Sequence, residues 1–346
     1  MLFLCVDSYA QKETTWWYFF QTAGLDFTNI TPVSDTNSND SVFTNGLTTG
    51  VNVTSISDEQ GVLQFYGSYV GTFNRNHQLM PNGLINLPAS SEAEEGTIVV
   101  PRPNNPGQYY FFYGRTSEQV YADGLTSGIF YSLVDMELDN SLGDVVDTIK
   151  NVLVADSTDE KIACTPHANG IDFWIMIRQS GTNNYKAFLV TETGVSTTPV
   201  ITSVGTISVN YGFMEGNLRF NHAGDLLANS IGLELEILDF DNNTGLLSNL
   251  RVITPFYLAR GLEFSADDSR LYSGGPTQFD VSTPTQSAIQ ASEVYMGGAF
   301  PIMAGLQMGL DGFRWENLWE YIHKSQYVLL HGCNPRPERV GHTMQL

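Results

Sequence analysis

The stretch "DFDNNTG" (239–245) sets Asp239, Asp241 and Asn243 at alternate positions, the way a calcium loop begins its run of oxygen ligands. A loop of the EF-hand type needs glycine in sixth place and glutamate in twelfth, where this chain has Thr244 and Leu250. The mismatch favours an Asx-stabilised hairpin turn with Gly245 at positive φ, and calcium on Asp239, Asp241 and Asn243 is the competing assignment. Glu92, Glu94 and Glu95 cluster carboxylates of the type that hydrolyse glycosides. Such a pair is defined in space rather than in sequence, and a solvated loop is expected there. His77, His167 and His222 fall in or beside turns, and His167 and His222 hold matching places in two repeated phrases. That equivalence points to turn building. There is no Gly-x-Ser-x-Gly elbow, no phosphate loop and no Cys/His spacing of a zinc site. No catalytic residue, cofactor or firm metal ligand is assigned, and the chain is not expected to be an enzyme.

The elements that carry these residues repeat. "GNLRFNHAGDLL" (216–227) and "GLEFSADDSRLY" (261–272) share one phrase: an apolar strand ending in Phe, a polar turn, then Leu. Phe220 and Phe264 are separated by the same interval as Leu227 and Leu271, and one more interval reaches Met308. Less regular copies turn at Gly61, Gly107 and Gly170, and further turns fall at Gly224, Asp268 and Gly312. Between them run second hairpins such as "YKAFLVTETGV" (185–195) and "LEILDFDNNTGLLSN" (235–249). Units of roughly 40–50 residues with four short strands apiece are the signature of a β-propeller. A lone four-stranded sheet exposes both faces, and neighbouring blades bury them. The reading is all-β, a propeller of six or seven four-stranded blades, over 11–312. A β-sandwich would not predict the recurring Phe-turn-Leu phrase.

Composition limits the partners. The 346 residues carry 37 Asp+Glu against 16 Lys+Arg, a formal net charge of −21. Such a chain repels phosphate backbones and anionic membranes, so no nucleic acid and no membrane insertion are expected. The opening "MLFLCVDSYA" reads as the tail of a secretory signal, with cleavage after Ala10. Cys164 and Cys333 are expected as two buried thiols, although a disulfide between them stays open.

Several phrases carry a family resemblance. "QTAGLDF", "SISDEQGVLQFY", "FNRNHQLMPNG", "YSLVDMELDNSLGDV", "HANGIDFWIMI" and "LDFDNNTGLLSN" occur in order between residues 21 and 249. Together they resemble the WD40-like β-propeller near the N-terminus of large surface proteins of Bacteroidetes, exported by type IX secretion and associated with gliding motility or adhesion. The resemblance implies a secreted or cell-surface, non-catalytic propeller. Residues 313–346 depart from it. "WENLW" (315–319), back-translated and read one nucleotide later, can spell the Gly-Lys-Ile-Tyr-Gly expected there, so a local frame error over about 313–328 and a disrupted last blade are expected. The functional expectation is binding of a protein partner or a polysaccharide. A polysaccharide hydrolase or lyase with carboxylates in the central funnel, and a structural spacer, are the alternatives.

Overall fold

The fold was read from a computed structural model, which describes residues 16–19, 23–26, 33–35, 53–68, 71–85, 96–115, 128–207, 216–256, 261–274, 277–296, 305–308, 314–317, 326–330 and 344–345. Among them lie seven antiparallel sheets in chain order. Blade 1 has β1 (Trp16–Phe19), β2 (Ala23–Asp26) and β3 (Val33–Asp35). Blade 2 has β4 (Val53–Ser57), β5 (Leu63–Ser68), β6 (Gly71–Asn74) and β7 (Leu79–Leu84). Blade 3 has β8 (Thr97–Pro101), β9 (Gln108–Arg115), β10 (Gly128–Asp135) and an outer edge split into β11 (Asp144–Val145) and β12 (Val152–Asp156). Blade 4 has β13 (Thr158–Pro166), β14 (Phe173–Gln179) and β15 (Asn184–Thr191), with β16 (Gly194–Val195) and β17 (Val200–Ser203) sharing the outer edge. Blade 5 has β18 (Leu218–Phe220), β19 (Leu226–Ile231), β20 (Glu234–Asp241) and β21 (Leu246–Ile253). Blade 6 has β22 (Leu262–Phe264), β23 (Arg270–Ser273), β24 (Thr277–Asp280), the short helix α1 (Gln286–Ala291) and β25 (Val294–Tyr295). Blade 7 has β26 (Gly305–Met308), β27 (Arg314–Asn317), β28 (Gln326–Leu330) and β29 (Met344–Gln345).

The first strand of each sheet lies beside the first strand of the next, from β1 through β4, β8, β13, β18 and β22 to β26. With meander order inside each sheet, this is a β-propeller. The repeated phrase is the hairpin between the first two strands. Phe220 faces Leu227 and Phe264 faces Leu271 in register, and all four are buried. Of the stretch expected out of frame, the described residues 314–317 form β27 and 326–328 begin β28 of the last sheet. The first sheet shows three strands rather than four among the described residues. Residues 1–10, Glu92, Glu94, Glu95 and Cys333 lie outside the described residues.

Side-chain alternation explains how blades stack. Successive residues of a strand point to opposite faces, so a middle strand feeds two seams. On β9, Tyr110 and Phe112 pack with blade 4, whereas Phe111 and Tyr113 pack with blade 2. On β14, Ile175 and Ile177 face blade 3, and Trp174 and Met176 face blade 5. Continuous apolar runs such as "YYFFY" (109–113) therefore mark strands covered on both faces. Cys164 corrects an expectation. It lies exposed on β13 between the buried Ala163 and Thr165, on the same side of the strand as the buried Ile162 but nearer the exposed Pro166 that ends it.

Candidate functional site

In blades 2 to 6 the connections between first and second strands, and between third and fourth, emerge at one end and form a turn face. Side-chain oxygens organise these turns. Asp58 Oδ1 accepts from the amides of Gln60 (3.0 Å) and Val62 (2.9 Å). Asn169 Oδ1 accepts from those of Ile171 and Asp172, and Asn221 Oδ1 from those of Asp225 (3.0 Å) and Leu226 (2.9 Å). The left-handed position of each turn is held by Gly61, Gly107, Gly170 and Gly224, and in blade 6 by Asp268 at φ 56°.

Neighbouring turns are tied across the seams. Trp174 Nε1 donates to Asn242 O at 2.8 Å, and the Ala168 amide donates to the same oxygen at 3.1 Å, joining blades 4 and 5. Asn104 Nδ2 donates to Glu192 Oε2 at 3.0 Å, joining blades 3 and 4. Asp268 accepts from the amides of His222 and Ala223, both at 2.9 Å, and lies 2.8 Å from His222 Nδ1, joining blades 5 and 6. Exposed aliphatic tips stand among these polar turns: Val62, Ile171 and Leu246, each about half accessible (52%, 50% and 48%).

Those residues singled out from sequence that are described sit on this face. Asp239 and Asp241 share one side of β20 by the two-residue period. Asp239 Oδ1 lies 2.6 Å from Arg251 Nη2, and its Oδ2 accepts from Asn249. Asp241 accepts from the Asn243 amide (3.0 Å) and the Thr244 hydroxyl (2.7 Å). The Thr244 hydroxyl foremost, then the Asn243 amide, holds the Asp241 carboxyl below its ordinary range. Gly245 takes φ 77° under the Trp174 ring. His167 stacks on Trp174 with centroids 5.5 Å apart, and its Nδ1 accepts from the Asn169 amide. His77 lies beside Tyr66 in the turn after β6. The structure brings His222 to Asp268 and keeps the three histidines in three separate turns.

At the opposite end, the seam between blades 4 and 5 buries a charged network. Asp159, Lys161, Arg178 and Glu236 are each at most 1% exposed. Lys161 Nζ donates to Asn229 Oδ1 (3.0 Å) and Ser230 O (2.6 Å). Glu236 accepts from the Tyr185 hydroxyl, from Asn229 Nδ2 (2.9 Å) and from the Thr206 amide (2.5 Å). Arg178 stacks over the Tyr185 ring, lies 3.5 Å from Asp159, and donates to the Thr206 carbonyl. Opposite charges are balanced in number, as buried ions require. Burial first, and then the Glu236 carboxylate, pushes the Tyr185 phenol well above its ordinary 10, so it serves as a hydrogen-bond donor at neutral pH. Sequence reading missed this network. Its signal was charge at or in apolar runs: Lys161 before "IAC", Arg178 after "FWIMI" and Glu236 inside "LEIL".

Among the described residues, no group of three His, Cys, Asp or Glu is placed to hold a metal ion, and no helix is long and apolar enough to cross a membrane. No family model and no curated protein matches the chain. Solved structures do. One is a candidate 6-phosphogluconolactonase from Bacteroides uniformis, with 11% identity, 88% of this chain and 79% of that one covered, and a TM-score of 0.49. A second is Hsv2p of Kluyveromyces lactis, with 9% identity, 91% and 92% covered, and a TM-score of 0.46. A third is the periplasmic gluconolactonase of Pseudomonas aeruginosa, with 12% identity, 67% and 64% covered, and a TM-score of 0.38. These likenesses concern architecture, and at such identities no activity passes to this chain. They do correct one expectation. Proteins named as lactonases stand among the similar structures, so the expectation that this chain is not an enzyme is withdrawn.

Proposed function

We propose that this chain is a binding propeller that works outside the cytoplasm and docks a protein partner on its turn face. One observation carries the reading. Turns from successive blades are bonded to one another across three seams, so Ile171, Leu246 and the polar groups around them are held in place before any partner arrives. Rigid presentation lowers the ordering cost of association, and loops on a rigid scaffold are where binding residues concentrate. Exposed aliphatic tips among hydrogen-bonding turns suit a protein surface. A polysaccharide would be better served by an exposed aromatic platform, and the described turns carry none. The acidity of the chain favours a partner of neutral or basic character.

The test presents the intact protein to separated cell-surface protein and polysaccharide fractions, with new reducing ends assayed in the same wells. Retention by a defined protein, weakened by Ile171→Asp and Leu246→Asp, is the expected result. Retention by polysaccharide alone would replace the partner class. Binding insensitive to both substitutions would overturn the assignment of the face.

A further inference from the structure

Two of the buried charges at the seam of blades 4 and 5, Arg178 and Glu236, meet with the half-buried Glu234 at one residue, Thr206, in the short segment after β17. Its amide donates to Glu236 Oε1 at 2.5 Å, its carbonyl accepts from Arg178, and its hydroxyl donates to Glu234 Oε2 at 2.9 Å. The preceding Gly205, at φ 88°, lies against the Glu236 carboxylate, which fills the space a Cβ would need. A main-chain amide, a main-chain carbonyl, a hydroxyl and a missing side chain are thus read by three side chains, with Glu236 reading the first and the last. All of them would read a free peptide equally well if its glycine took the same positive φ. Arg178 has capacity left over, since its Nε is buried with no hydrogen-bond partner. An apolar clamp would hold a strap as firmly without removing charges from water, because a buried ion pair often confers no more stability than packed apolar groups. What charges add is discrimination between ligands.

We propose that Arg178, Tyr185, Glu234 and Glu236 form a peptide-recognition site for a glycine followed by a hydroxyl residue, occupied here in cis by residues 204–207. In trans it takes a Gly-Thr or Gly-Ser segment of another protein, with its glycine at positive φ like that of Gly205, in competition with the strap. Tyr185 and Asn229 position the carboxylate, each by a hydrogen bond to Glu236 Oε2. The site lies at the opposite end of the blades from the turn face and is independent of the function proposed for it.

The probe is the blocked peptide Ac-Val-Gly-Thr-Ile-NH2, with Ac-Val-Ala-Val-Ile-NH2 as control, on the full chain. A short tether gives an effective concentration of order mM, so about 20 mM peptide competes with the strap. The expected result is a severalfold faster hydrogen exchange of the segment containing Thr206 with the Gly-Thr peptide, and no change with the control. Gly205→Ala, which forces the strap out, should bind the probe about tenfold more tightly than the parent. Adding Glu236→Gln should abolish that gain. Unchanged exchange at Thr206, equal response to both peptides, or a folded Gly205→Ala protein that binds no probe would overturn the proposal. Should Gly205→Ala not fold, the exchange experiment on the parent chain decides alone.

Discussion

Asp268 occupies a position that four other blades give to glycine. The phrases "SDEQG", "PNNPG", "PHANG" and "FNHAG" end in a glycine at positive φ, and "FSADD" ends in Asp268 at φ 56°. A non-glycine residue there costs about 1 kcal/mol. The carboxylate offsets this by accepting from the His222 and Ala223 amides across the seam, with His222 Nδ1 at 2.8 Å and Asn221 Nδ2 at 3.3 Å. Hydrogen bonds to a charged group contribute roughly 1.5–3 kcal/mol each when sheltered. Asp268 is 20% exposed and His222 49%, so about 1 kcal/mol for each of the two amide bonds is the appropriate scale, and the ring contact adds little. Asp268→Ala keeps the strain and loses the bonds, for a net loss of about 2 kcal/mol. Asp268→Gly loses the bonds and relieves the strain, for a net loss of about 1 kcal/mol. Urea unfolding at constant slope should rank the parent above Asp268→Gly and Asp268→Ala lowest, with each step resolved as a shift in midpoint. A glycine variant more stable than the parent would show that the carboxylate contributes less than the strain it offsets, and the argument would fail.

Three further outcomes follow from the same geometry. Gly245→Ala should destabilise by about 1–3 kcal/mol, since a Cβ there would lie 2.9 Å from the Trp174 ring at φ 77°, and thermal unfolding would show it. Phe264→Ala should cost about 3–5 kcal/mol, because Phe264 is fully buried between blades 5 and 6, and a loss under 1 kcal/mol would contradict the packing. The Ser265 and Ser269 hydroxyls, then the Ser269 amide, hold the Asp267 carboxyl down at about 2, below the ~3.9 of an unfolded chain. Its contribution is therefore complete above about pH 4 and is lost as pH falls through about 2. Carboxyl NMR should place its midpoint near the lower value, and a midpoint near 4 would show that the serines do not engage it.

The sequence already showed the repeats because packing wrote them. Phe220 and Leu227 must meet across a hairpin, and so must Phe264 and Leu271, so their interval survives as a visible period. The turn glycines were legible for a similar reason, since few other residues take positive φ. The charged network was not legible. Lys161, Arg178, Tyr185, Glu236 and Thr206 come from two blades and a connecting segment, and only folding brings them together. Asp268 looked like one more polar turn residue, whereas its role depends on the turn of the neighbouring blade. Cys164 was misread because burial along a strand covered on both faces depends on how far the neighbouring blade reaches toward its end, which the sequence does not show.

The central claim is that the turn face of blades 4 and 5 docks a protein. The most direct measurement places a photo-crosslinking residue at Ile171 or Leu246, and a control at the exposed Ile201 on the outer strand β17, then exposes the intact chain to cell-surface proteins. The account predicts one defined adduct from positions 171 and 246 and none from 201. Equal labelling from all three positions, or labelling from 201 alone, would contradict it.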